Sequence, residues 1–150
     1  MPATLNTTAI YRGIEEFLST FEAEYDYSIK LYPHWTYIVK DIPELYAFYR
    51  IIPGRSYRDS ECIRRYEGVL SFDVRCKHDD DSQELVSNVT ECLLHKFSDI
   101  GILPIEIDSL YGKSTFTVLR NEAGRPVMEG SVMRQNCRIN YLIEVLITET

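Results

Sequence analysis

His78-Asp79-Asp80-Asp81 is the densest run of chemically capable side chains in this sequence. Imidazole and carboxylates are competent metal ligands, but consecutive residues point in different directions. The same acids suit the positive end of a helix, where Asp81 with Glu84 three residues on forms a capping-box-like start. The four cysteines, Cys62, Cys76, Cys92 and Cys137, contain no C-x-x-C pair of the kind that holds zinc or runs redox chemistry. Cys76 and Cys137 fall on the apolar parity of expected strands and Cys92 on an apolar helix stripe, so they read as small buried hydrophobes in a reducing compartment. His34, beside Trp35, and His95 have no Glu-x-x-His or His-x-x-x-His partner. There is no Gly-x-Ser-x-Gly and no phosphate-cradling glycine loop, the seven glycines being dispersed at turns and element ends. The expectation is no catalytic residue, no metal and no cofactor. A triad is spatial rather than sequential, so an enzyme stays among the alternatives.

Charge narrows the partners. A formal net charge of -7 and a pI near 5.0 argue against a grip on nucleic acid, which Lys and Arg provide by neutralising phosphates. A local basic patch survives at Arg50, Arg55, Arg58, Arg64 and Arg65, with Asp59 and Glu61 between them. Within it, Arg55, Tyr57, Arg58 and Arg64 combine the residue types favoured at protein interfaces with charge opposite to that of the whole chain. They are the candidate protein-contact residues, and the alternative is a solvated loop. Eleven tyrosines in 150 residues suit half-buried or shared surfaces, or a strand-rich core. No apolar window approaches the ~18 residues of a membrane span, and the first residues lack a signal-peptide run. The chain is therefore expected to be made inside the cell, with no membrane contact. The sequons at Asn6-Thr7-Thr8 and Asn88-Val89-Thr90 read as chance.

The elements that would position these residues are organised around 66–97. Tyr66, Leu70, Phe72, Val74 and Cys76 alternate with Glu67, Ser71, Asp73, Arg75 and Lys77, the period of a strand with one wet face. The acidic turn follows, then a helix from Ser82 to Phe97 with Leu85, Val89, Cys92, Leu93 and Phe97 on one stripe. Upstream, Ile10, Ile14, Phe17, Leu18 and Phe21 predict an amphipathic helix over Asn6 or Thr7 to Glu24. An extended stretch interrupted by Pro33 leads to a short strand, Tyr37 to Lys40. Leu45 to Ile52 is a strand that Pro53-Gly54 breaks, and Leu45 to Cys76 makes a long hairpin with its tip at Pro53 to Arg65. Downstream, Gly101 caps the second helix, Pro104 to Tyr111 is extended and Ser114 to Arg120 is a strand. Asn121 to Pro126 turns, Met128 to Gln135 pairs back, and Cys137 to Thr148 alternates as the longest strand. One domain over 1–150 is expected, of class α+β: a mostly antiparallel β-sheet with two α-helices packed on one face and a long β-hairpin.

In this order of elements the chain resembles the tail terminator proteins of long-tailed bacteriophages. The resemblance is carried by the amphipathic helix from Ile10 to Phe21 and by the strand entry Ile42-Pro43-Glu44-Leu45-Tyr46. The alternating strand from Tyr66 through the acidic turn His78-Asp79-Asp80-Asp81 into Ser82 to Phe97, and the closing strand Arg138 to Thr148, complete it. It departs in having Glu44-Leu45 between Pro43 and Tyr46, and in the longer, more aromatic segment Asp26 to Asp41. What the resemblance implies is a structural virion protein assembled in the host cytoplasm. Its copies form a ring, usually a hexamer, that caps the tail tube, ends its polymerisation and joins the head connector, while DNA passes through without specific binding. A domain of this size has a radius of gyration of roughly 15 Å, so only a ring of copies could surround such a channel. The alternatives are a head-tail connector or neck protein of the same particle, and a small α+β ligand- or peptide-binding module.

Overall fold

Five strands lie side by side in the order β1-β2-β3-β6-β4, with a short β5 folded back on β6. Their ranges are β1 Lys30–Pro33, β2 Leu45–Arg58, β3 Ile63–Lys77, β4 Tyr111–Ala123, β5 Val127–Glu129 and β6 Val132–Ile147. The helices are α1 Thr7–Leu18, α2 Phe21–Tyr25 and α3 Ser82–Ser98. This computed structural model describes residues 7–36, 42–58, 62–77, 80–98 and 111–147. The chain is α+β: every strand pairing is antiparallel except β1 with β2, and the helices cover one face.

The alternating residues divide between the two faces as their period requires. Leu70, Phe72, Val74 and Cys76 of β3 and Cys137, Ile139, Tyr141, Ile143 and Val145 of β6 are buried beneath α3. From α3 the buried side chains are Val86, Val89, Leu93 and Phe97, with Leu85 and Cys92 packed at the margin. Ile10, Tyr11, Ile14 and Leu18 of α1 lie over β2. An aromatic chain ties the layers together: Tyr49 to Phe72, Phe72 to Phe97, Phe97 to Phe116 and Phe116 to Tyr141, with ring centres 5.1 to 6.3 Å apart. The core expected from the sequence is found, Phe17 and Leu85 lying at its edge.

Five details differ from the sequence expectation, each for a local reason. The first helix is two, because Ser19 Oγ donates to the Glu16 carbonyl at 2.6 Å and Thr20 leaves helical geometry before Phe21 resumes it. An unforeseen strand, β1, runs parallel to Tyr46–Tyr49, and its Pro33 is tolerated at the end of an edge strand. Pro53-Gly54 does not end β2. The strand runs on through a bulge between Pro53 and Ser56, where β1 no longer covers it and an edge accepts proline. A Cβ at Gly54 would lie 2.8 Å from the Glu67 carbonyl oxygen, so the bulge requires glycine. Finally, β4 extends to Ala123, into the expected turn, and the last strand begins at Val132 instead of Cys137. Gly130-Ser131 closes the β5–β6 hairpin, Gly130 supplying the positive φ of 62° that a two-residue hairpin turn needs. The expected strand Tyr37 to Lys40, the Gly101 cap and Pro104 lie outside the described residues.

Two polar anchors fix the helices. Ile51 N–H, beyond the last β1 pairing, donates to the Tyr11 hydroxyl at 2.8 Å, and the same hydroxyl is hydrogen-bonded to His34 Nδ1 at 3.0 Å. Lys96 of α3 reaches Glu24 at 2.7 Å and Thr20 at 3.3 Å, its ammonium 4.3 Å from the centre of the Phe17 ring. The Lys96 hydrogen bond, then that of Thr20, holds the Glu24 carboxyl below the ordinary 4.5. The depressed value means that this stabilisation is full above pH 4.5 and is lost as pH falls through the folded-state value. Half exposed, the carboxylate is screened by water, so the contribution is under about 1 kcal/mol. In urea titrations at several pH values, Glu24→Gln is expected to trail the parent chain at neutral pH and converge with it in acid. A constant gap across that range would contradict the assignment.

Candidate protein-contact surfaces

The tip of the β2–β3 hairpin carries the four residues singled out from the sequence. Arg55 is exposed, donates to Glu67 at 2.8 Å and lies 4.9 Å from the centre of the Tyr57 ring. Its hydrogen bond sets the Glu67 carboxyl below the usual range. Tyr57 is half-buried, its hydroxyl 3.5 Å from the same carboxylate. Arg64 donates to Ser56 Oγ at 3.2 Å and approaches the Tyr66 ring at 5.8 Å, while Arg58 lies opposite it in the strand register. The structure therefore brings all four to one hairpin end, with Arg55 and Tyr57 gathered about Glu67 and Arg58 and Arg64 paired across the strands. Asp59 and Glu61 lie outside the described residues.

The basic patch read from the sequence is divided. Arg65 joins Glu144 of β6 at 3.6 Å, and Arg50 belongs to a different surface. The sheet face turned away from the helices is uncovered by any described element, and its register sets side chains in rows. Arg50, Ser71, Arg138 and Glu122 form one, Phe48, Asp73 and Asn136 the next, and Tyr46, Arg75 and Arg134 the third. Asp73 Oδ2 accepts from Arg75 at 2.7 Å and from Arg134 at 3.1 Å; Arg134 also bonds Glu129. Arg75 lies 5.2 Å from the Phe48 ring centre. With His34, Thr36 and Tyr49, the residues of these rows other than Tyr46 and Glu122 line a cleft of about 390 Å³. Among the described residues Arg50 and Arg138, both exposed, have no hydrogen-bond or carboxylate partner. Sequence reasoning missed this face, although its signal was present as the polar parity of β3 and β6. What was lacking was the register that aligns Arg50 with Arg138 across Ser71.

The remaining candidates are scattered. Among the described residues no three His, Cys, Asp or Glu side chains converge as metal ligands. His78 and Asp79 are outside the described residues, and Asp81 sits directly before the first residue of α3, with Glu84 in its first turn. His95 pairs with the Tyr25 hydroxyl at 2.8 Å. All four cysteines are free thiols; burial pushes Cys137 up to about 12 and Cys92 upward, so neither is a thiolate at neutral pH. No described helix is long and apolar enough to cross a membrane.

No protein-family model matches this chain, and no curated protein matches it. Among solved structures, one whose title is a bare sequence identifier aligns over 98% of this chain and 99% of its own. Its TM-score is 0.65 at 16% identity, a likeness of fold alone.

Proposed function

We propose that this protein is a ring-forming structural protein of a phage tail, of the tail-terminator kind, which caps the tail tube and joins the head connector. The observation that carries the reading is the division of the surface: helices on one face, an Arg- and aromatic-rich sheet face that no described element covers, and a hairpin whose β2 strand is exposed from Ile52 to Ser56. Arginine and aromatic side chains on open strands are what protein partners bind. The helix, the β2–β3 hairpin, the helix α3 and the closing strand that support the resemblance to tail terminators occur in that order, with the first helix divided in two and β1 added. In this reading the hairpin tip meets a neighbouring copy or the tube, the partners are further copies, the tube protein and the connector, and no cofactor takes part.

Light scattering and electron microscopy of the purified protein test the reading directly. Closed rings are expected, and a monomer at every concentration would favour a ligand- or peptide-binding module instead. The combined variant Arg55→Glu, Arg58→Glu and Arg64→Glu is expected to leave the monomer folded by circular dichroism and to abolish ring formation or tube capping. Normal rings and normal tail lengths from that variant would remove the tip from the contact. Binding to connector without any effect on tube growth would move the protein to the neck.

A further inference from the structure

The two faces of this molecule are charged in opposite senses. The exposed positions of α1 and α3 include Glu15, Glu16, Glu84 and Glu91 against a single exposed arginine, Arg12, and none of the four glutamates has a salt bridge among the described residues. The opposite side of the sheet exposes the guanidiniums of Arg50 and Arg138 beside Ser71; Glu122, next to Arg138 in the register, is bonded to Arg120, and Asp73 is taken up by Arg75 and Arg134. One chain cannot satisfy these groups internally, because the core lies between them. Two sheet faces laid together would set arginine against arginine, and two helix layers would set glutamate against glutamate, arrangements that like-charge repulsion disfavours.

We infer that the open sheet face seats the helix layer of a second copy of this chain, the Arg50–Ser71–Arg138 row receiving carboxylates from α1 and α3. Each copy then presents one surface of each kind, so the contact runs head to tail, and head-to-tail contacts that close by rotation make rings. Phe48, stacked under Arg75, and the half-buried Val69 and Leu142 supply the apolar part of the seat. The inference rests on the ring reading and adds to the hairpin tip a second contact between copies.

The test uses two charge-reversed full-length chains: Arg50→Glu with Arg138→Glu on the sheet, and Glu15→Arg with Glu91→Arg on the helices. All four positions are exposed, and the melting curve of each chain confirms its fold. Each chain alone is expected to associate on the order of a hundredfold more weakly than the parent, as like charges then oppose. Mixed one to one, each supplies what the other needs, and rings of alternating composition are expected to return. Parent rings that survive both reversals would overturn the inference while leaving the ring reading intact. A parent that never forms rings would overturn both. Loss of association in either chain without recovery on mixing would also overturn it. So would intact rings of the sheet variant that have lost retention of double-stranded DNA, because the row would then be a phosphate site.

Discussion

Phe72→Ala is expected to destabilise the protein by ~3 to 5 kcal/mol and to lower its melting temperature by about 10 °C or more. The ring is fully buried on β3 and touches both Tyr49 of β2 and Phe97 of α3, at 6.1 and 5.7 Å between centres. Truncation therefore removes the side chain that couples the sheet to the long helix, and neither rigid neighbour can collapse into the space. Thermal and urea unfolding of the purified variant measure the loss. An unchanged melting curve would take the organising strand out of the core and the packing account with it.

Gly68→Ala is expected to cost as much as overpacked cores do, about 1 to 3 kcal/mol or more. Gly68 stands opposite Tyr141 in the β3–β6 register, and the tyrosine ring lies across its backbone. An added Cβ would meet the hydroxyl-bearing carbon of Tyr141 at 2.7 Å and the Ile52 carbonyl oxygen at 2.9 Å. The phenol is buried and its pKa pushed up to about 12, so swinging the ring aside would disturb its stack on Phe116. Shortening the partner should relieve much of this conflict. Combined with Tyr141→Leu, Gly68→Ala is expected to cost clearly less than in the parent chain, a coupling that a double-mutant cycle in urea measures. Strict additivity would mean that the two residues do not meet.

Where side-chain period and burial agree, the sequence was legible. The hairpin from Leu45 to Cys76 and helix α3 could be read because their alternating and helical stripes are the ones buried. The same signals misled where an edge relaxes the rules. Pro53-Gly54 reads as a break, yet a strand uncovered on one side loses little by lacking an N–H there. Lys30–Pro33 has no alternation of its own, because a four-residue edge strand is defined by its neighbour Tyr46–Tyr49. The start of β6 is hidden in the sequence because Gly130-Ser131, a two-residue turn, lies inside a polar stretch. The candidate contact residues divide in the same way. Arg55, Tyr57, Arg58 and Arg64 are close in sequence and were found together, whereas Arg50 and Arg138 become neighbours only through pairing with β3. Composition places both sets on the surface. Only register says which groups stand side by side.

The position of β6 in the sheet has a consequence for timing. Among the described elements it comes last along the chain, yet it lies between β3 and β4 and also holds β5. On the ribosome, the hairpin of β2 and β3 and the helix α3 emerge first, with one edge of β3 lacking its partner. Contacts so distant along the chain form slowly, because the intervening loop must close before any pairing rewards it. The row that joins Arg50 to Arg138 therefore does not exist until translation has passed β6. The surface proposed above to seat a second copy is thus completed in a single step, when the central strand is inserted.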